Sequence, residues 1–377
     1  MRIALLAPLR SPPVEPLGGA AERHARLLAE GLAARGHEVT LYARPDEAPG
    51  RGYDVRAYDP ARSSPPGAAG LSPRRLRDAY VAVCDHVAAA RYDVVHDGTL
   101  HAVPWLRAGD LGPRLVHALH ERPPAGFAAT ARAARGSRRV RCVAVSRAVG
   151  DAWSACADEV EVVPAGIRLD RWRYSSRPVP GLCVFVGRVA RDRGVHFALD
   201  AARAAGRQMI VAGPTPRHGD EYFDAEVAPR LDRERRYVGD LDALETSQLI
   251  SNAECLVDAS ADAELAGLAL AESLACGTPV VAYASPPTRE LLDDRTGVLV
   301  PPGDVEGLGA AIARAATLER RDCRRRAATH YGVERMVDAY ERLYAGLGAR
   351  ARPAAPVDID AGRGGRAFAS AGGRSRG

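Results

Sequence analysis

"AELAGLALAESLACGTPVVAY", residues 263–283, sets an apolar run around two glutamates, Glu264 and Glu272, eight positions apart. Glutamate is among the residues least often buried without a partner. Either both carboxylates reach solvent, or a polar group from outside the run comes to meet them. The spacing predicts a short helix from Gly267 to Cys276, stopped at Gly277, and then a fully buried strand in "TPVVAY". Ala271 and Ala275 let one face of that helix pack closely on a sheet, while Leu270 and Leu274 line another.

The same alternation runs through almost the whole chain. Strand candidates "RIALLAPL", "HEVTLYA", "YDVRAYD", "YDVVHDG", "RLVHALH", "RCVAVSR" and "EVEVVPAG" in the first half are interleaved with helical stretches such as "AAERHARLLAEGLAARG"; "LCVFVGRV", "QMIVAGP", "RRYVGDL", "ECLVDAS", "TPVVAY" and "GVLVPPG" follow in the second. Such alternation means parallel sheets with helices on both faces. The polar, Pro-rich stretch "RWRYSSRPVPG" (171–181) reads as a linker. The expected fold class is therefore α/β, with two doubly wound Rossmann-like domains facing a central cleft: residues 1–173, a linker at 174–180, and residues 181–330. A C-terminal helix at about 331–348 is expected to pack back on the first domain. Ligands in such sheets sit at the carboxyl ends of strands, so the cleft is the expected site.

A chain of 377 residues exceeds one ordinary core and suits two domains. No run reaches the 18 or so apolar residues of a membrane span, and "MRIALLAPLRSPP" reads as a first strand rather than a signal peptide. The seven cysteines are scattered without a CxxC pair, which points away from a disulfide framework or zinc knuckle and toward a reducing cytoplasm. The net charge of +5 is local: residues 350–377 hold six Arg and two Asp, leaving the rest of the chain at only +1. Nucleic acid is not an expected partner. Residues 349–377, rich in Gly, Ala and Arg, read as a disordered tail. All 52 basic residues are Arg.

Three stretches could carry chemistry. Gly18 and Gly19 stand between a strand with its loop and a helix whose apolar positions Ala25, Leu28 and Leu32 recur at helical spacing; they let the backbone approach a ligand and aim amides at an anion, or simply make a tight turn. In "VFVGRVARDRGVHFALDAA", Gly187 ends a buried strand, Arg188 follows, and Arg193 precedes the next helix. Both guanidiniums could fork onto a diphosphate, or form a solvated pair beside Asp192. In the opening stretch, Glu264 in a loop and Glu272 in the helix lie at most about 15 Å apart, roughly the reach of a sugar, a diphosphate and a ribose. Amides around Gly267, Leu268 and Ala269 would lie between them.

With these residues in view, the chain resembles the retaining, family 4 type glycosyltransferases of the GT-B fold (glycosyl transferases group 1), whose E-x7-E signature stands here as "ELAGLALAESLACGTPVVAY". The resemblance covers roughly residues 1–348, through "GGAAERHARLLAEGLAARGHEVTLYA", "YDVVH", "RLVHALHE", "CVAVSRAV", "VVPAGIRLDRW", "VFVGRVARDRGV" and "ASPPTRELLDDRTGVLVPPGD". It implies that Glu272 binds the donor ribose and Glu264 the transferred sugar. Arg188 and Arg193 would hold the diphosphate, with Gly19 close to it and the Gly267–Ala269 amides completing the cradle. His120 matches the family's active-site histidine, whereas His96 and His117 read as satisfied core histidines. The chain departs from the family at Arg193 (usually Lys), Ala266 (usually Phe) and "AGIR" (usually N-G-I-D). It departs again at Ser285, Pro286 and Pro287, where a glycine pair is customary and a stiffened donor loop is expected.

The expected function is transfer of a sugar from a UDP- or GDP-linked donor to a hydroxyl acceptor, with retention, no catalytic metal and no cofactor. Another class of reading is a catalytically weak nucleotide-sugar-binding partner of a second transferase, suggested by the segment at 285–287. A Rossmann dehydrogenase is disfavoured because no G-x-G-x-x-G follows the first strand. "RRLR" (74–77) and "RGSRRVR" (135–141) could give peripheral contact with an anionic membrane, and read more simply as solvated surface.

Overall fold

The computed structural model describes residues 1–9, 19–45, 52–58, 72–112, 114–135, 141–157, 159–215, 221–260 and 267–349. The expectation for the tail therefore lies outside the described residues, apart from residue 349. Strands β1 (Arg2–Leu6), β2 (Glu38–Ala43), β3 (Asp54–Ala57), β4 (Val94–Asp97), β5 (Leu115–Leu119), β6 (Arg141–Ala144) and β7 (Glu159–Val162) form one sheet. Strands β8 (Leu182–Val186), β9 (Gln208–Ala212), β10 (Arg235–Tyr237), β11 (Cys255–Asp258), β12 (Val280–Tyr283) and β13 (Gly297–Val300) form another. The orders are β3-β2-β1-β4-β5-β6-β7 and β10-β9-β8-β11-β12-β13, parallel throughout.

Helices α1 (Ala20–Ala34), α2 (Pro73–Ala90), α3 (Ala102–Leu106), α4 (Phe127–Arg135) and α5 (Arg147–Trp153) accompany the first sheet. Helices α6 (Val195–Ala204), α7 (Ala243–Asn252), α8 (Leu268–Ala275), α9 (Pro286–Leu291), α10 (Val305–Ala315) and α11 (Arg320–Tyr331) accompany the second, and α12 (Val333–Ala349) ends the described chain. These are the two facing Rossmann-like domains of a GT-B fold.

The all-apolar strands follow from cover on both faces. Ile3 and Leu5 of β1 pack with Leu28 and Leu32 of α1 and with Val337 and Tyr340 of α12, while Ala4 and Leu6 pack with Tyr80, Val83 and Val87 of α2. Each such leucine contributes about 2 kcal/mol by leaving water. A further apolar cluster runs without a break from Trp105 and Trp153 in the first domain to Leu268 and Leu274 in the second.

The chain crosses between domains twice, and the crossings are bonded to each other. The Ile167 N–H donates to Tyr331 O (2.7 Å) and the Val333 N–H to Ile167 O (3.0 Å). Helix α12 then lies against α1, where a Cβ on Gly31 would come within 2.3 Å of Val337 Cγ2. Residues 174–180 are tied to the second domain: Ser175 N–H donates to Cys276 O (3.2 Å) and Val179 N–H to Asn252 O (2.7 Å). The buried Arg320 donates to Ser175 O (2.6 Å), Ala253 O (2.7 Å), Ser251 O (2.9 Å) and Thr278 Oγ1 (2.7 Å), which satisfies a guanidinium that would otherwise be costly to bury.

All seven cysteines are buried free thiols. No helix among the described residues is long and apolar enough to cross a membrane.

Strand order reverses direction between β1 and β4 in one sheet and between β8 and β11 in the other. Crevices at the carboxyl ends of those strands are where ligands bind in open α/β sheets.

Candidate active site

At the reversal of the second sheet, β8 delivers Gly187 and Arg188. Gly187 has φ +146° and Gly213, ending β9, has φ +138°. A Cβ on Gly213 would sit 2.0 Å from Gly187 O, and one on Gly187 would sit 3.3 Å from Arg193 Nη2. Glycine is required at both, because the two strand ends and a guanidinium converge there. The two arginines part company. Arg188 pairs with Asp192 at 2.7 Å with both side chains more than half exposed, the solvated pairing the sequence allowed. Arg193 is only 5% exposed and is held against the strand end by the turn Arg191–Arg193.

Strand β11 ends at the buried Asp258, which accepts from the Ser260 N–H (3.0 Å) and hydroxyl. After it comes α8, entered through Gly267 at φ +58°. The first backbone bond closing α8 runs from Ala271 N–H to Gly267 O (3.0 Å), so the amides of Leu268 and Ala269 have no acceptor within the helix. Glu272, one turn on, is 7% exposed. From the first domain, Gly19 is the N-cap of α1 and Arg23 stands one turn in. Arg23 Nη1 donates to Glu272 Oε1 at 3.1 Å across the cleft.

These groups line one cavity of about 370 Å³, which brings together Gly19, Gly187, Arg188, Arg193, Leu268, Ala269 and Glu272. Gly267 lies beside it in a small pocket with Arg193, Asp258 and Thr288. Gly18 and Glu264 lie outside the described residues, as does Ala266. The cavity also holds Arg23, Trp172, Gly213, Asp240 and Thr246, which sequence reasoning missed. The glycine ending "QMIVAG" was the available signal for Gly213. Arg23 falls four residues after Gly19 and so on the same face of α1.

His120 follows β5, 8% exposed, and is not among the residues lining the described cavities. Its ring lies 4.6 Å from that of His24, edge-on. Burial lowers its pKa to about 4, so the imidazole is neutral near neutrality. Burial likewise lowers His96 to about 3 and His24 well below the usual value. His96 bonds Tyr344 OH (2.8 Å), and His117 bonds Asp97 (2.7 Å) while stacking on Trp105 at 4.1 Å. Both are satisfied core histidines.

The expected stiffened loop at Ser285–Pro287 is instead the start of α9. The Ser285 hydroxyl caps the Thr288 N–H (3.4 Å), the Thr288 hydroxyl accepts from the Ser285 N–H (2.8 Å), and Pro286 and Pro287 open the helix. Proline suits the first helical turn because its missing N–H would have had no partner there.

Residues 17–171 match the profile of Glycosyltransferase Family 4, and residues 180–317 that of Glycosyl transferases group 1. A glycogen synthase of Mycobacterium tuberculosis is 30% identical over 201 residues, 49% of this chain and 48% of the relative. A D-inositol 3-phosphate glycosyltransferase of Saccharomonospora viridis is 27% identical over 60% of this chain and 62% of its own length. The chain thus spans about half to three-fifths of these curated relatives. The Anabaena protein HepE, solved with UDP and glucose, shares the fold: TM-score 0.71 and 19% identity over 92% of this chain and 100% of that one.

Proposed function

The chain belongs to the family 4 (group 1) glycosyltransferases, and from that premise we propose that it moves a sugar from a nucleoside diphosphate donor to a hydroxyl with retention at the anomeric carbon and without a catalytic metal. The observation that carries this is the cavity between the domains, where Arg188, Arg193 and the α8 amides converge beside Gly19 and Gly187 and Glu272 stands one helical turn further on. Two guanidiniums and a set of helix amides suit a diphosphate, and a carboxylate at the far end suits a ribose.

In this reading the enzyme stabilises the departing diphosphate electrostatically, with Arg193 and the amides already in place before charge develops. The bond from the anomeric carbon to the phosphate oxygen breaks and the bond to the acceptor oxygen forms on the same face. The acceptor proton passes to the departing phosphate oxygen. A neutral His120 serves as a hydrogen-bonding group toward sugar or acceptor and not as an acid. Glu264 would hold the sugar. Among the relatives are a glycogen synthase and a D-inositol 3-phosphate glycosyltransferase, and HepE was solved with UDP and glucose; for this chain a UDP- or GDP-linked donor is proposed and the acceptor is left at a hydroxyl.

The rival reading, a binding partner without turnover, rests on the segment at 285–287, which is a capped helix start. Transfer assays over a panel of UDP- and GDP-sugars, followed by NMR of the product anomer with and without exhaustive chelation, test the proposal. The α-linked product from an α-linked donor, formed equally under chelation, is expected. Inversion, or activity lost to a chelator and restored by Mg²⁺ or Mn²⁺, would overturn the mechanism.

A further inference from the structure

Arg23 stands on α1 of the first domain and Glu272 on α8 of the second, and Arg23 Nη1 meets Glu272 Oε1 at 3.1 Å. The Glu272 side chain is 9% exposed and that of Arg23 27%. Both line the cavity of about 370 Å³ and also an adjoining smaller space of about 50 Å³. A carboxylate this buried is costly without a charged partner, and this one finds it across the cleft. A charge-assisted bond to one oxygen restrains the rotation of the carboxylate about its stem.

We propose that Arg23 is a positioning residue for nucleotide recognition: it holds Glu272 so that the carboxylate meets the vicinal hydroxyls of the ribose. Because Arg23 belongs to the opposite domain, that restraint on Glu272 depends on α1 and α8 facing each other as they do here. The proposal rests on the reading of Glu272 as the ribose carboxylate.

The test compares the affinities of UDP and GDP with those of their 2′-deoxy counterparts, by calorimetry, for the unaltered protein, Arg23→Met and Glu272→Gln. Loss of the hydroxyl is expected to weaken binding to the unaltered protein about tenfold or more, the scale of a hydrogen bond to a charged group. In Arg23→Met the ribose-to-deoxyribose ratio is expected to fall below about threefold, and Arg23→Lys to restore part of it. A merely structural role for Arg23 would weaken both nucleotides alike and leave the ratio unchanged. An unchanged ratio in Arg23→Met beside a lost ratio in Glu272→Gln overturns the positioning role and leaves the ribose reading intact. An unchanged ratio in Glu272→Gln overturns the ribose reading and the proposal with it. Should Arg23→Met fail to fold, Arg23→Gln, which keeps a donor and loses the charge, carries the same expectation.

Discussion

Arg188 and Arg193 stand five residues apart in one turn, yet Arg188 shares an exposed ion pair with Asp192 while Arg193 is 5% exposed against the end of β8. A charge held out of water acts on a diphosphate through a lower effective dielectric than one at the surface. Arg193 is therefore expected to carry more of the transition-state stabilisation. Arg193→Ala should cost roughly 2 kcal/mol or more in kcat/KM, Arg193→Lys should retain most activity, and Arg188→Ala should cost less than Arg193→Ala. Steady-state kinetics on the three variants check the order; equal effects of the two alanine substitutions would contradict it. That Gly187, Arg188 and Arg193 meet at the end of a buried strand was legible in the sequence, because a strand-ending glycine followed by a short turn brings the arginines back to that end. Their division of labour was not, since burial depends on how the strand ends pack. Nor was Arg23, whose partner lies 249 residues away.

Among the elements, the central strands such as β1, β4, β8, β11 and β12 were the most legible, because each is a largely apolar run buried along its length, whereas the edge strands β3, β7 and β10 are polar and partly exposed. The helix predicted from Gly267 to Cys276 is α8, one residue shorter at either end, with Gly267 and Cys276 as its caps. Ser285–Pro287 misled because Pro after a strand reads as a stiff loop unless the hydroxyls of Ser285 and Thr288 are seen closing a capping box. Replacing Ser285 by Ala should therefore cost about 1 kcal/mol of stability. Gly213→Ala should be more severe. A positive φ and a Cβ 2.0 Å from Gly187 O leave no room, and the loss should be roughly 2 kcal/mol or more. Denaturant unfolding checks both, and a Gly213→Ala protein as stable as the original would show that the strand ends are not so closely apposed.

At the scale of the molecule, two domains were legible from the repeated strand–helix alternation, whereas the direct bonding of the two crossings at Ile167 and Tyr331 was not. The three histidines His24, His96 and His120, contributed by α1, β4 and the end of β5, are all buried with lowered pKa values, chiefly through desolvation. Their sign is fixed: below the ordinary histidine pKa of about 6.5 the unfolded chain binds protons that the folded one does not, so stability falls as pH falls. The loss begins near that value and continues to about 4 for His120 and about 3 for His96. His96→Gln should remove about 1.4 kcal/mol per pH unit from the slope of stability against pH in the range of roughly 5.5 to 4. Urea titrations at several pH values measure it, and an unaltered slope would contradict the burial of a neutral ring. In the proposed reading one nucleoside diphosphate spans the cavity from Arg193 to Glu272, with its sugar beyond the phosphates. Calorimetric titration of UDP and GDP into the protein and into Glu272→Gln and Glu264→Gln tests it most directly. Glu272→Gln is expected to weaken the nucleotide that binds by roughly 1.5 to 3 kcal/mol, whereas Glu264→Gln should leave its affinity nearly unchanged; equal losses in both variants, or no loss in either, would overturn the assignment.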